Sequence, residues 1–185
     1  PGQRELDFCV HYSYDTQRSI LRDIVASLYR QGQRRMLIIN GHGGNNFKNM
    51  MRDLTLEYPD FIIATSEWFK MTDAHPFFSH VGDHADELET SVMMHYHPEL
   101  VSLSEAGQGD SCGFGIKALS EGKVWIPRNW AKVSRDTGIG SPAKATAEKG
   151  ARFAAAVVEK YVEFLADFAR VETIDDLYEP QFHNE

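Results

Sequence analysis

The segment Met36-Leu37-Ile38-Ile39-Asn40-Gly41-His42-Gly43-Gly44-Asn45 constrains the fold of this chain more than any other. A short apolar run that empties into Gly and Asn reads as a buried strand ending in a tight loop, with Asn45 available to cap a following helix. Open α/β sheets build their ligand sites at the carboxyl ends of strands. Gly41, Gly43 and Gly44 keep side-chain bulk away from His42, so its imidazole could meet a metal or a substrate while the backbone approaches closely.

The neighbouring segments extend this pattern. Residues 16–30 place Ile20, Ile24, Val25 and Leu28 at helical spacing, with Asp15 as the cap and Gly32 as the stop. A second helix is expected over 46–57, before Pro59, and a second apolar strand over 61–65. Helix, strand, helix and strand in that order predict an α/β fold with a parallel pair joined by a right-handed crossover. Residues 88–96 read as a short helix ended by Pro98, and Val124-Trp125-Ile126 as a third strand or ribbon. A long closing helix is expected over 142–171, with Phe153, Val157, Tyr161, Phe164, Leu165 and Phe168 as a core stripe. The 185-residue length suits one domain, expected over 1–172, followed by a polar tail over 173–185.

A formal net charge of -8 argues against an electrostatic grip on nucleic acid or an anionic membrane, which leaves small molecules or proteins as partners. Cys9 and Cys112 are the only cysteines and neither lies in a C-x-x-C, which fits a reducing cytoplasm. No apolar run approaches the length of a membrane span. The first residues, Pro1 to Tyr14, read like the middle of a protein rather than its beginning.

A second constellation, Asp83-His84-Ala85-Asp86-Glu87-Leu88-Glu89-Thr90-Ser91, precedes an apolar helical segment. Capping alone accounts for Asp86, Glu87 and Glu89: Asp86 would be the N-cap, Glu89 its reciprocal partner, and the acidic first turn would favour the helix dipole. It does not account for His84, which lies just outside the helix beside Asp83. A carboxylate there could fix the tautomer of the imidazole, and a histidine so placed can act as a general acid or base near neutral pH. His42 and this His/Glu cluster could together bind a divalent metal through nitrogen and oxygen, although a catalytic zinc is normally held by about three protein ligands. Trp68, Trp125 and Trp130 could line a substrate pocket or pack the core, and Arg128 could orient a carbonyl or lie on the surface. The glycine loop lacks the Lys-Ser/Thr of a P-loop, which weighs against a phosphate cradle.

The residues 40–45 and 83–85 with 89–91, followed by His97-Pro98-Glu99-Leu100-Val101 and Ala145-Thr146-Ala147-Glu148-Lys149-Gly150, resemble the creatininase family of metal-dependent amidohydrolases. The resemblance implies a three-layer α/β/α fold with a mostly parallel sheet. It also implies a paired zinc or manganese site, iron in some branches, whose activated water opens a C–N bond in a cyclic amide or formamide. His42 and Glu89 would then be metal ligands, His84 would carry a proton from water to the leaving nitrogen, and Asp83 would be its neighbour. Association into a homo-oligomer is expected on the same ground.

Two departures qualify the match. Where creatininase itself carries a Glu two residues after the histidine, this chain has Gly44, which weakens creatinine as the substrate and moves the carboxylate role to Glu89. The family's early E-x-H segment has no counterpart, so the chain resembles the C-terminal two-thirds of a member. An incomplete site is therefore expected unless another chain supplies the remaining ligands. The competing reading is a non-catalytic binding or assembly piece of the same fold.

Overall fold

The computed structural model describes residues 3–7 and 9–179, and it divides them into two compact units. The expectations for Pro1, Gly2 and the end of the polar tail lie outside the described residues.

One unit contains residues 12–72 and 157–179. Helix α1, Tyr14–Arg30, starts two residues earlier than the sequence pattern suggests because Ser13, not Asp15, is its cap; the Ser13 hydroxyl accepts the Thr16 N–H. Gly32 at φ +83° ends it as expected, a conformation that L side chains avoid. Strand β1, Arg35–Asn40, helix α2, Lys48–Glu57, and strand β2, Ile62–Glu67, follow. The two strands pair in parallel, with Arg35 opposite Ile62 and Asn40 opposite Glu67. Leu21, Val25, Met50, Leu54 and Phe61 form the buried core of this unit. The apolar face of α1 is therefore the Leu21, Val25 stripe, and Ile20 and Ile24 stand exposed instead. Arg18 ties α1 to α2 through Asp53 and Glu57.

The other unit contains residues 3–7, 9–11 and 73–156. Helix α3, Glu87–Tyr96, is capped by Asp86; α4, Lys117–Ser120, and α5, Trp130–Val133, are single turns. Helix α6, Ala147–Phe168, begins here and continues into the first unit. It starts at Ala147 rather than Pro142 because residues 142–145 form a separate turn and the Thr146 hydroxyl accepts the Lys149 N–H as an N-cap does. Phe77, Phe78 and Phe153 meet edge to face or tilted, with Phe153 fully buried. In the expected stripe of α6, Phe153, Val157 and Phe168 are buried, whereas Leu165 is exposed.

One strand expectation fails. Val124, Trp125 and Ile126 form an exposed loop, and the sheet among the described residues has two strands. Three apolar residues closed off by Pro127 give no length over which to pair.

Candidate functional site

The first candidate loop is held from below by Asn40, the last residue of β1 and almost wholly buried. Its Oδ1 accepts the His42 N–H and the Asn45 side-chain amide, both at 3.2 Å, and its own amide donates to the Asn45 carbonyl. Asn45 is thus a brace within the loop rather than the cap of α2; that helix has Phe47 at the cap position, and Asn46 accepts the Lys48 N–H. The Trp68 indole N–H donates to the Gly41 carbonyl, which fixes the loop against the end of β2. Within the loop the Gly44 N–H donates to His42 Nδ1 at 3.0 Å. A Cβ on residue 44 would lie 3.0 Å from that same nitrogen, so the glycine makes room for the ring. A neutral imidazole that accepts at Nδ1 carries its proton on Nε2, an assignment made from the hydrogen bond. An ion bound at either ring nitrogen would therefore displace or retune the Gly44 hydrogen bond.

The second candidate cluster belongs to the unit built on α3. Asp86 Oδ1 accepts the Glu89 N–H at 2.9 Å, as a capping box requires, but Glu89 Oε2 returns to the Ala85 N–H, one residue before the cap. Ala85 adopts φ +50°, a left-handed conformation that is uncommon without a glycine. Such strain beside a candidate catalytic residue persists because neighbours hold it, and here the Glu89 carboxylate and the Ile139 backbone do so. Ile139 O accepts the N–H groups of Asp83 and His84, and the Ile139 N–H donates to the His84 carbonyl.

The titratable side chains divide by partner. His84 Nδ1 lies 3.8 Å from Glu89 Oε2, and its ring meets Trp130 edge to face. Asp83 Oδ2 accepts from Arg128 Nη1 at 2.5 Å, and that guanidinium lies 4.8 Å from the centre of the Trp130 ring. Asp83 is thus bound to Arg128, and Glu89 is a carboxylate that faces the His84 ring. Glu87 points the other way. It is fully buried, accepts the Ser79 and His80 N–H groups, and pairs with Lys149 Nζ at 2.6 Å. Burial pushes its carboxyl up, but the Lys149 ammonium and the two amides outweigh burial and leave it below the usual carboxylate range.

Trp130 is buried, Trp125 stands 83% exposed, and Trp68 serves the His42 loop. A cavity of about 370 Å³ opens beside Glu89, lined also by Met93, Leu100, Leu103, Asp136 and Pro142. Asp136 carried no motif signal; only its place in a glycine-rich loop, two residues before Gly138, could have marked it.

His42 and Glu89 offer nitrogen and oxygen donors of the kind that suit zinc or manganese. Among the described residues, however, no group of three or more His, Cys, Asp or Glu side chains is arranged to hold an ion. The described donors alone do not make up a catalytic metal centre. Cys9 and Cys112 are both free and exposed. No helix among the described residues is long and apolar enough to cross a membrane.

A parallel β-pair with a histidine loop at its end, and in the other unit a strained acidic helix start, belong to an α/β protein. The creatininase family model, described as creatinine amidohydrolase, matches residues 2–165, and the chain belongs to the creatininase family. It is 54% identical to a candidate creatinine amidohydrolase of Bacteroides fragilis, whose crystal structure superimposes with a TM-score of 0.89 over 97% of this chain and 70% of that one. Creatininase itself shares the fold at 20% identity and a TM-score of 0.75, over 90% of this chain and 68% of that one. Its manganese form does so at 21% and 0.71, over 88% and 67%. Among curated proteins, the mycofactocin precursor peptide peptidase of Mycobacterium ulcerans is 31% identical over 137 residues, 71% of this chain and 48% of that protein. The chain therefore spans about half the length of the curated relative it matches.

Proposed function

We propose that this chain serves a metal-dependent hydrolase that opens the C–N bond of an amide, with small cyclic amides as the substrates suggested by the family. The observation that carries the reading is the Glu89 carboxylate: braced by the Ala85 N–H, 3.8 Å from His84 Nδ1, and set on the wall of a cavity. Support comes from the family match and from creatininase structures in manganese and Zn-Zn forms. In this reading His42 and Glu89 each serve as a metal ligand, and further ligands come from outside the described residues, from another segment or another copy in an oligomer. The ion would supply an activated water. His84, beside the Glu89 carboxylate, would hold or pass a proton toward the departing nitrogen, with Asp83 and Arg128 holding the segment that presents the ring.

Elemental analysis of the natively purified protein, paired with an amide-hydrolysis screen, tests this. About two ions per chain and C–N cleavage support a paired centre. Absence of both after metal loading would instead favour the binding or assembly reading.

A further inference from the structure

We propose that the cavity beside Glu89 holds the uncleaved part of the substrate and selects an amide that carries an aliphatic or aromatic group together with a protonated amine, the amine being held by Asp136. The proposal rests on the hydrolase reading and narrows its substrate. At about 370 Å³ the cavity lies in the lower part of the range that receives small-molecule ligands. Its lining includes apolar side chains: Met93 and Leu100 are 40% and 69% exposed, uncovered hydrocarbon that an apolar group would remove from water. Its charge has one sign. Glu89 and Asp136 are its ionisable lining residues, and no basic side chain lines it among the described residues.

Asp136 is held in place rather than swinging in solvent. Its Oδ1 accepts the Ser134 hydroxyl at 3.2 Å and the Gly138 N–H at 3.1 Å. Its Oδ2 rests against residue 107, where a Cβ would come within 1.6 Å, so only glycine leaves the carboxylate where it is. With Glu89 committed to the Ala85 N–H and the His84 ring, Asp136 is the carboxylate left for an ammonium group. A charge-assisted hydrogen bond to a fixed carboxylate is both strong and directional. An apolar wall and one fixed anion together describe a ligand with a hydrocarbon side chain and a cationic amine.

The test uses the full chain with 13C-labelled methionine and leucine methyl groups, the Met93 and Leu100 signals being assigned by substitution. Leucinamide, its deaminated analogue 4-methylpentanamide, and glycinamide are titrated in turn. Leucinamide is expected to move both signals, with the other two binding about tenfold more weakly. Asp136→Asn should weaken leucinamide to the level of 4-methylpentanamide and leave 4-methylpentanamide unchanged. Gly107→Ala displaces the carboxylate without removing it and should act in the same direction; a thermal melt confirms that each variant is folded. Equal binding of leucinamide and 4-methylpentanamide, equal loss of both in Asp136→Asn, or silence of both methyl signals would overturn the proposal. Binding is read without turnover, so a failure of the hydrolase reading shows separately, as absence of C–N cleavage in metal-loaded protein.

Discussion

Lys149 on α6 and Glu87 on α3 form an ion pair, with Nζ 2.6 Å from Oε1 and the carboxylate fully buried. The other Glu87 oxygen accepts the Ser79 and His80 N–H groups, so this one side chain anchors the segment that leads to Asp83 and His84. Removing one partner of such a pair strands the other charge. Lys149→Met is therefore expected to cost about 3 kcal/mol, measured by urea denaturation. The double variant with Glu87→Gln should lose less than the sum of the two single changes.

The same carboxylate makes stability fall on the acid side. Its folded pKa lies below the ordinary value, so its contribution is fully present above the unfolded value of about 4.3 and is lost as pH falls through the folded value. Thermal melts of the wild type should decline below about pH 4.5 more steeply than those of Glu87→Gln. Equal slopes would remove Glu87 from the acid transition.

Gly150 sets the approach of α6 to α3. A Cβ there would lie 1.9 Å from the Ser91 carbonyl oxygen, a backbone atom that cannot swing aside. Ser91 is itself fixed, donating to the Glu87 carbonyl and accepting the Thr146 N–H. Alanine would gain up to about 1 kcal/mol of helix propensity, but the overlap forces the helices apart. Gly150→Ala is expected to destabilise by about 2 kcal/mol net, seen as a lower denaturation midpoint with an unchanged slope.

What the sequence made legible was local. The strands at β1 and β2, their parallel pairing, and the helices α1, α2, α3 and α6 follow from apolar runs and 3.6-residue periodicity that a single segment displays. The errors arise where a distant partner decides. Ile20 and Ile24 satisfy a helical pattern as well as Leu21 does, and only the position of α2 selects the buried face. Glu87 reads as a dipole-favouring first-turn acid because Lys149 lies 62 residues away. Asp83 reads as the companion of His84 until Arg128, 45 residues on, claims it. Asp136 had only its place in a glycine-rich loop to mark it, because the room for its carboxylate comes from the bareness of residue 107, 29 positions earlier.

Asn40 should be the least replaceable residue of the histidine loop. Its side chain satisfies the His42 N–H and both ends of Asn45. Asn40→Ala removes these three part-buried hydrogen bonds at once and is expected to cost about 1–2 kcal/mol. Hydrogen exchange at the His42 amide should accelerate more than global unfolding explains. Unchanged exchange at His42 would show that the loop keeps its shape without Asn40.

Arg128 offers a contrast between stability and activity. Its bond to Asp83 joins two side chains that are 40% and 51% exposed, and pairs of that kind contribute less than about 1 kcal/mol. The guanidinium nonetheless covers the face of Trp130, whose ring abuts His84. If the chain hydrolyses amides as proposed, Arg128→Gln should leave the melting temperature nearly unchanged while lowering kcat with little change in KM, because it would loosen the ring proposed to carry the proton rather than the proposed substrate pocket. Arg128→Lys keeps the charge but loses the flat stacking surface, and it should restore only part of kcat. A fall in KM-limited binding with kcat intact would place Arg128 on the substrate instead.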